Sequence, residues 1–487
     1  MPLPAVAPDL VRRMAAVVGE QHCISDPAEL IVYECDGLTH GRTRPGLVVL
    51  PATTEEVSRV VRIASEAGLS IVPRGAGTGL SGGARPLPGC VVVALSRMKR
   101  ILAVDLENGT VRVEPGVINL DVSRAVQPGG YYYAPDPSSQ GVCTIGGNVA
   151  ENSGGAHCLK YGFTVNHVLA ARVVLDGGEV VDLGGPAIDP PGYDLLAVLV
   201  GSEGMLGIAT EVTLRLLRKP EATRTFFATF PSTDEAGAAV SGIIAAGILP
   251  AAIEMMDRLA IAAARAATGL DWPDVGAALL MDADGTAAEA EHVSRRAVEI
   301  ACAAGALEIR IPRDEAERQL MWKGRKCAFA AMGRISPNYM VEDGVIPRSE
   351  IARVLRDIGR LAGEAGLRVA NVFHAGDGNL HPLVLYDARA PGEEERAAAL
   401  GREILRLCVR YGGSITGEHG VGAEKAAAMA DMFGPDDLET MARVRWAFDP
   451  RGRFNPGKVF PTPRLCGERP GPYVPHAIEL AGQAERW

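Results

Sequence analysis

Three short stretches of this chain carry residue types that can bind or react. HAGDGNLH, residues 374–381, is framed by two of the nine histidines; GGSITGEHGVG, residues 412–422, sets Glu418 and His419 in a glycine-framed loop; PRGAGTGLSGG, residues 73–83, is dominated by glycine. An imidazole titrates near neutrality, so it can take a proton or ligate a metal. The spacing of His374 and His381 is odd. A continuous strand would send the two rings to opposite faces, whereas the Gly376-Asp377-Gly378 turn can bring them back together, so a hairpin tip is expected. Two histidines and one carboxylate make an open zinc set with a position left for a substrate oxygen. The same side chains also serve as turn residues with satisfied hydrogen bonds, and spacing by itself favours that plainer role.

Gly77, Gly79 and Gly82 spell G-x-G-x-x-G, yet a Rossmann fingerprint must open a helix, and Pro86 and Pro88 forbid one here. No Walker loop is present. Gly75, Gly77, Gly79, Gly82 and Gly83 still permit close backbone approach, so consecutive N–H groups can converge on a diphosphate; a glycine-rich surface turn is the alternative. PDPSSQGVCTIGGNVAENSGG, residues 135–155, and GSEGMLGI, residues 201–208, supply further hydroxyls, amides and glycines. The first of these is expected to wrap a ligand rather than form a regular element. Together the three stretches read as backbone clamps for a large polar cofactor.

With those loops in view, the sequence resembles the vanillyl-alcohol-oxidase-type flavoproteins, over roughly residues 20–462. The resemblance implies an α+β fold: a two-lobed FAD-binding domain, then an α+β cap domain built on an antiparallel sheet. It implies that Pro73, Arg74, Gly75, Ala76, Gly77, Thr78, Gly79, Ser81 and Gly82 hold the FAD pyrophosphate. Pro135, Asp136, Ser138, Cys143, Thr144, Gly146, Gly147, Asn148, Asn152 and Gly155 would contact the rest of the cofactor, with Glu203, Gly207 and Ile208. Some relatives attach FAD through a His or Cys near the phosphate loop; residues 73–83 contain neither, so non-covalent FAD is expected.

HAGDGNLH, GEHG and FDPRGRFNPGK (448–458) are similar to the FAD-linked D-2-hydroxy-acid dehydrogenases. That similarity implies a divalent metal, zinc, on His374, His381 and Glu418, with His419 as catalytic base and Asn455 near the flavin. WKGRKCAFAAMGRISPNYMVEDGVIPR (322–348) and NPGKVFPTPRLCGE most resemble the FAD-binding subunits of bacterial glycolate oxidases. This implies a small 2-hydroxy acid as substrate, glycolate or D-lactate, and a flavin-type and an iron–sulfur subunit as partners. Arg325, in W-x-x-R, reads as the anchor for the substrate carboxylate, its planar fork suiting bidentate binding; a surface salt bridge is the alternative. Hydroxyglutarate-oxidising relatives place a lysine two residues before Asp343, where this chain has Val341. Its loss argues against a second substrate carboxylate unless Arg334 compensates.

Other readings present overlapping motifs. A stand-alone D-lactate or D-2-hydroxyglutarate dehydrogenase with a quinone-type acceptor would look almost the same. A zinc hydrolase on His374, His381 and Glu418 leaves the glycine-rich amino-terminal half unexplained, and a non-catalytic flavin-binding subunit would be expected to lack the metal and base residues.

The elements that must position these loops are set by hydrophobic spacing. After Thr53 and Thr54, Val57, Val60, Val61, Ala64 and Ala67 predict a helix, and the strand Leu69–Val72 feeds the glycine loop. VVVALS predicts a strand, and Asn108-Gly109 a hairpin turn within residues 103–116. Strands at 170–175 and 209–217 close this half. From Thr223, the strand-like TFFATF, AALLMDAD and LEIRI alternate with helices at 286–304, 349–365 and 393–411, placing a boundary near 220. The expected organisation is an N-terminal helical segment (1–41), an FAD-binding domain (42–220), a substrate or cap domain (221–460) and a C-terminal arm (461–487). The uncharged run Ala236 to Ile253, with helix-start chemistry at Ser232–Glu235, predicts a buried core helix rather than a membrane span.

A 487-residue chain that is 47% apolar can bury two cores. Its net charge of −10 argues against an electrostatic hold on nucleic acid or anionic membrane. Nine cysteines without a C-x-x-C pair give neither a secreted disulfide framework nor a four-cysteine iron–sulfur centre. Electrons leaving a flavin must therefore pass to another protein or a diffusible acceptor. The opening residues lack signal-peptide order. A cytoplasmic protein is expected, with no integral membrane segment, peripheral to the inner membrane through its partners.

Overall fold

Thr53 accepts a hydrogen bond from the Glu56 amide and starts the helix Thr54–Glu66, which buries Val57, Val60, Val61 and Ala64. That apolar stripe packs with Leu47, Val49, Ile71, Val91 and Val93 of a four-stranded sheet. In a computed structural model that describes residues 6–38, 41–185 and 191–461, this sheet runs Cys23–Ile24, Leu47–Val49, Val91–Ala94, Ile71–Arg74, its last three strands parallel. The C-terminal arm expected beyond residue 461, including most of VFPTPRLCGE, lies outside the described residues. The strand Ile71–Arg74 ends where the glycine loop begins.

A second lobe is a five-stranded antiparallel sheet in the order Ile101–Asp105, Thr110–Val113, Ile208–Arg215, Val168–Val174, Val180–Gly184. Strict alternation of buried and half-buried positions along Ile208–Arg215 gives it one core face. Residues 135–155 depart from expectation. A helix, Ile145–Glu151, forms within them because Ile145 and Val149, four apart, bury in this lobe's core. Asn152 ends it in the left-handed region, φ 52°.

The third sheet is antiparallel and larger. It runs Glu308–Arg310, Ala222–Phe230, Ala277–Gly285, Ala252–Asp257, Arg368–His374, Asn379–Leu380, Gly344–Val345, and Pro382–Tyr386 joins both Asn338–Val341 and Arg368–His374. Helices Thr233–Ala245, Ala287–Ala303, Ile351–Ala365 and Glu393–Arg410 cover one face. Arg258–Thr268 and Glu315–Ala331 cover the other. The helix expected through Ile253 stops at Ala245, because Gly247 takes a φ of 73° and Pro250 comes soon after. Beyond Pro250 the chain enters the central strand Ala252–Asp257. No helix among the described residues is long and apolar enough to cross a membrane.

The chain finally returns to the first lobe. Phe454 bridges Ile71, the Asn455 amide donates to the Ile71 carbonyl at 2.7 Å, and Arg451 pairs with Asp176 at 2.5 Å. Residues 451–458 thus pack on the first two lobes, although the sequence groups them with the third.

Candidate active site

The glycine loop and residues 135–155 converge. A Cβ on Gly75 would stand 2.5 Å from Thr144 Oγ1, so only glycine lets the two segments approach this closely. Between them opens a cleft with about 1270 Å³ of empty space, its open mouth included. Its walls carry Pro73, Arg74, Gly75, Ala76, Gly77, Thr78 and Gly79 from the first loop, and Ser138, Cys143, Thr144, Gly146, Gly147 and Asn148 from the second. Glu203, Gly207, Ile208 and Asn455 line it too, as do Glu418 and His419 from the cap.

Other expected cofactor residues do not reach the wall. The Ser81 carbonyl accepts from the Ala423 and Glu424 amides, and Gly82 packs beside Ala423. The Pro135 carbonyl accepts from Asn119 Nδ2, Asp136 lies 2.9 Å from His157 Nδ1, and Gly155 backs onto Asp136. Asn152 accepts from the Val165 amide. The Arg74 guanidinium lies against Gly77 of its own loop, donates to the Cys35 carbonyl at 2.8 Å and lies over Tyr33.

On the cap, Arg368–His374 and Asn379–Leu380 form the hairpin tip, and the His374 and His381 rings meet edge to face with centroids 5.2 Å apart. Glu418 Oε1 stands 3.3 Å from His374 Nε2, 3.4 Å from His381 Nε2 and 3.8 Å from His419 Nε2. The His419 ring stacks on His381. His374, His381 and Glu418 thus form a compact donor set able to hold a metal ion. A second grouping, Asp343 with His381 and His419, is less suited. Asp343 already accepts from Thr416 Oγ1 and the amides of Gly417, Glu418 and His419, and pairs with buried Lys425 at 3.1 Å.

Burial alone would lower the His374 pKa, but the carboxylates of Glu254 and Glu418 outweigh it and hold the ring well above its ordinary value. Glu418 is drawn down to about 2, burial being overcome by His374 above all. His419 falls to about 4 because burial dominates, with Asp343 pulling the other way. Glu203 rises to about 7 through burial, although the Val421 and Gly422 amides donate to it.

Arg325 is buried and ion-paired with Glu254 at 2.5 Å rather than on the surface. Arg334 is exposed and donates to the Ala266 carbonyl. Sequence reasoning missed Glu254, Glu151 and Lys425, and took Asp343 only as a landmark. The one signal for Glu254 was a single acid inside the apolar AAIEMM.

Residues 45–184 match the family described as FAD binding domain, and residues 219–459 match FAD linked oxidases, C-terminal domain. The chain belongs to the FAD-linked oxidases. This FAD-linked oxidase is 49% identical to the glycolate oxidase subunit GlcD of Escherichia coli, covering all of this chain and 98% of the relative. It is 32% identical to a D-lactate dehydrogenase of Anaerostipes hadrus, covering 93% and 98%. Among solved structures it superposes on p-cresol methylhydroxylase with a TM-score of 0.78 at 19% identity, over 93% of this chain and 96% of the other. That likeness establishes the shared vanillyl-alcohol-oxidase-type fold.

Proposed function

We propose that this FAD-linked oxidase converts a small 2-hydroxy acid, glycolate or D-lactate, to the 2-oxo acid and passes the electrons to a partner subunit or quinone-type acceptor. The observation that carries this reading is that Glu418 and His419 share one cleft with the glycine loops. The cleft suits FAD: Thr144 Oγ1 and Asn455 Oδ1, both from wall residues, are buried without a hydrogen-bond partner among the described residues. When bound, FAD supplies the acceptor for the hydride leaving the substrate α-carbon. We take it as dissociable. The Cys143 thiol on the wall is held protonated, its pKa raised by burial, and it contacts Asn148.

A divalent ion, zinc, fits the donor set. Ligands at about 2.1 Å in tetrahedral array stand roughly 3.4 Å apart, close to the Nε2 to Glu418 Oε1 separations here. Both His381 ring nitrogens and Glu418 Oε2 are buried without hydrogen-bond partners among the described residues. Such an ion would supply Lewis acidity toward the substrate hydroxyl. In this reading Arg325 binds the substrate carboxylate through its guanidinium, whose Nε has no hydrogen-bond partner among the described residues, and His419 receives the hydroxyl proton. Asp343 holds residues 416–419 in place. Arg334, engaged with Ala266, does not replace the lysine missing at Val341, which favours a substrate with one carboxylate.

The partner proposal, flavin-type and iron–sulfur subunits, is supported by the relative named as a subunit and by the absence of a C-x-x-C pair in this sequence. A cytoplasmic site peripheral to the inner membrane belongs to the same proposal. A stand-alone dehydrogenase is the second reading, and the relative named D-lactate dehydrogenase supports D-lactate as its substrate. Anaerobic mixing with glycolate, D-lactate and D-2-hydroxyglutarate separates the substrates: flavin bleaching is expected with the first or second and little with the third. His419→Ala should slow single-turnover flavin reduction by roughly 100-fold or more with FAD retained. Near-normal reduction would reject the base.

A further inference from the structure

Strand Ala252–Asp257 pairs with Arg368–His374 in a register that sets Glu254 directly opposite His374. Alternation sends Ile253 and Met255 into one core, and Ala252 and Met256 into the other, beneath Met321, Trp322 and Ala328 of helix Glu315–Ala331. Glu254 shares that second, apolar side and is only 1% exposed. A carboxylate there must be compensated by opposite charge or hydrogen bonds. Two side chains do so: His374 Nδ1 lies 2.7 Å from Glu254 Oε1, and an Arg325 terminal nitrogen lies 2.5 Å from Oε2. The second contact is a charge pair off the hydrogen-bond axis, and it leaves Arg325 Nε and that terminal nitrogen without hydrogen-bond partners among the described residues.

We infer that Glu254 is a positioning residue that couples the substrate's carboxylate anchor to the metal-binding set, one carboxylate oxygen serving each. This rests on the roles proposed above for Arg325 and His374. By accepting from Nδ1–H, Glu254 fixes the orientation of the His374 ring and turns Nε2 toward Glu418, the atom that a metal would take. Its other oxygen stops the Arg325 guanidinium from rotating away. The separation between the group that reads the carboxylate and the donors that meet the hydroxyl is thereby set by a single side chain. That arrangement selects a hydroxyl on the carbon next to the carboxylate and penalises a 3-hydroxy acid.

The test uses the FAD-loaded protein with Glu254→Gln, Glu254→Asp and Arg325→Lys. Zn²⁺ affinity is measured by competition with a fluorescent chelator, and glycolate KM is measured separately from limiting flavin reduction. Gln removes the charge that pairs with both Arg325 and His374, while Asp, one methylene shorter, draws the carboxylate back from both. Both variants should weaken Zn²⁺ by about 10- to 100-fold and raise KM at least about tenfold. Arg325→Lys should raise KM with Zn²⁺ affinity unchanged. If the Glu254 variants alter only one of the two quantities, or neither, while Arg325→Lys raises KM, the coupling is wrong and the site reading stands. If Arg325→Lys also leaves KM unchanged, the site reading itself fails. Should Glu254→Gln not retain FAD, Glu254→Asp decides by the same criteria.

Discussion

Glu151, on the wall of the cleft, is a buried acid that opposes folding once it is ionised. Its Oε2 is buried without a hydrogen-bond partner among the described residues, and a Cβ on Gly420 would collide with it. Burial, then the neighbouring Glu203, pushes its pKa well above 4.5. An acid with a raised folded-state pKa holds its proton more tightly when folded. Its stabilising effect is therefore complete at low pH and is lost as pH climbs past the unfolded value. Glu203, raised to about 7, adds to the same slope between about pH 4.5 and 7. Denaturant midpoints of the wild type should fall from pH 5 to pH 8. Glu151→Gln, which mimics the protonated form, should flatten that fall, gaining more at pH 8 than at pH 5. Equal gains at both values would show that Glu151 does not carry a shifted proton.

At the scale of elements, the hairpin 368–380 depends on Gly378. It sits at φ 82°, and a Cβ there would collide with the Ile346 carbonyl. Gly378→Ala combines left-handed strain of about 1–2 kcal/mol with a backbone clash. It should splay His374 from His381, so added Zn²⁺ should bind the proposed donor set more weakly while FAD content holds; unchanged Zn²⁺ affinity would sink the argument. The turn was legible in sequence because Gly376-Asp377-Gly378 is local chemistry. The donor set was legible for the same reason, each motif carrying its own histidine or glutamate. Glu254 was not, since its strand lay under an apolar run that reads as helix until Gly247 and Pro250 break it, and its partner His374 is 120 residues away. The roles of Asp343 and Arg74 were hidden likewise. A carboxylate beneath a loop and a guanidinium turned to the Cys35 carbonyl depend on tertiary approach, which no spacing rule encodes.

Across the whole molecule, the loop bearing Glu418 and His419 is held from two directions. Asp343 accepts its amides on the cap side, and Glu203 accepts the Val421 and Gly422 amides, both at 2.7 Å, from the FAD side. Glu203 adopts a φ of 50°, rare for a side-chain-bearing residue, and is held there partly by Asn455. Asn455 Nδ2 donates to the Glu203 carbonyl at 2.6 Å and to the Gly83 carbonyl at 2.8 Å, tying the returning C-terminal segment to the loops 73–83 and 201–208. Asn455→Ala would strand two buried carbonyls, a cost of about 1–3 kcal/mol for each one left unsatisfied. It should lower the denaturation midpoint and weaken FAD retention together. Asn455→Asp distinguishes a donor from mere bulk, because a carboxylate keeps the shape but faces two carbonyl oxygens with no proton to give. It should be at least as damaging as alanine in both measurements. An aspartate variant that matched the wild type would mean that the lobes are registered by packing alone, and that His419 owes its place beside the cleft to the cap.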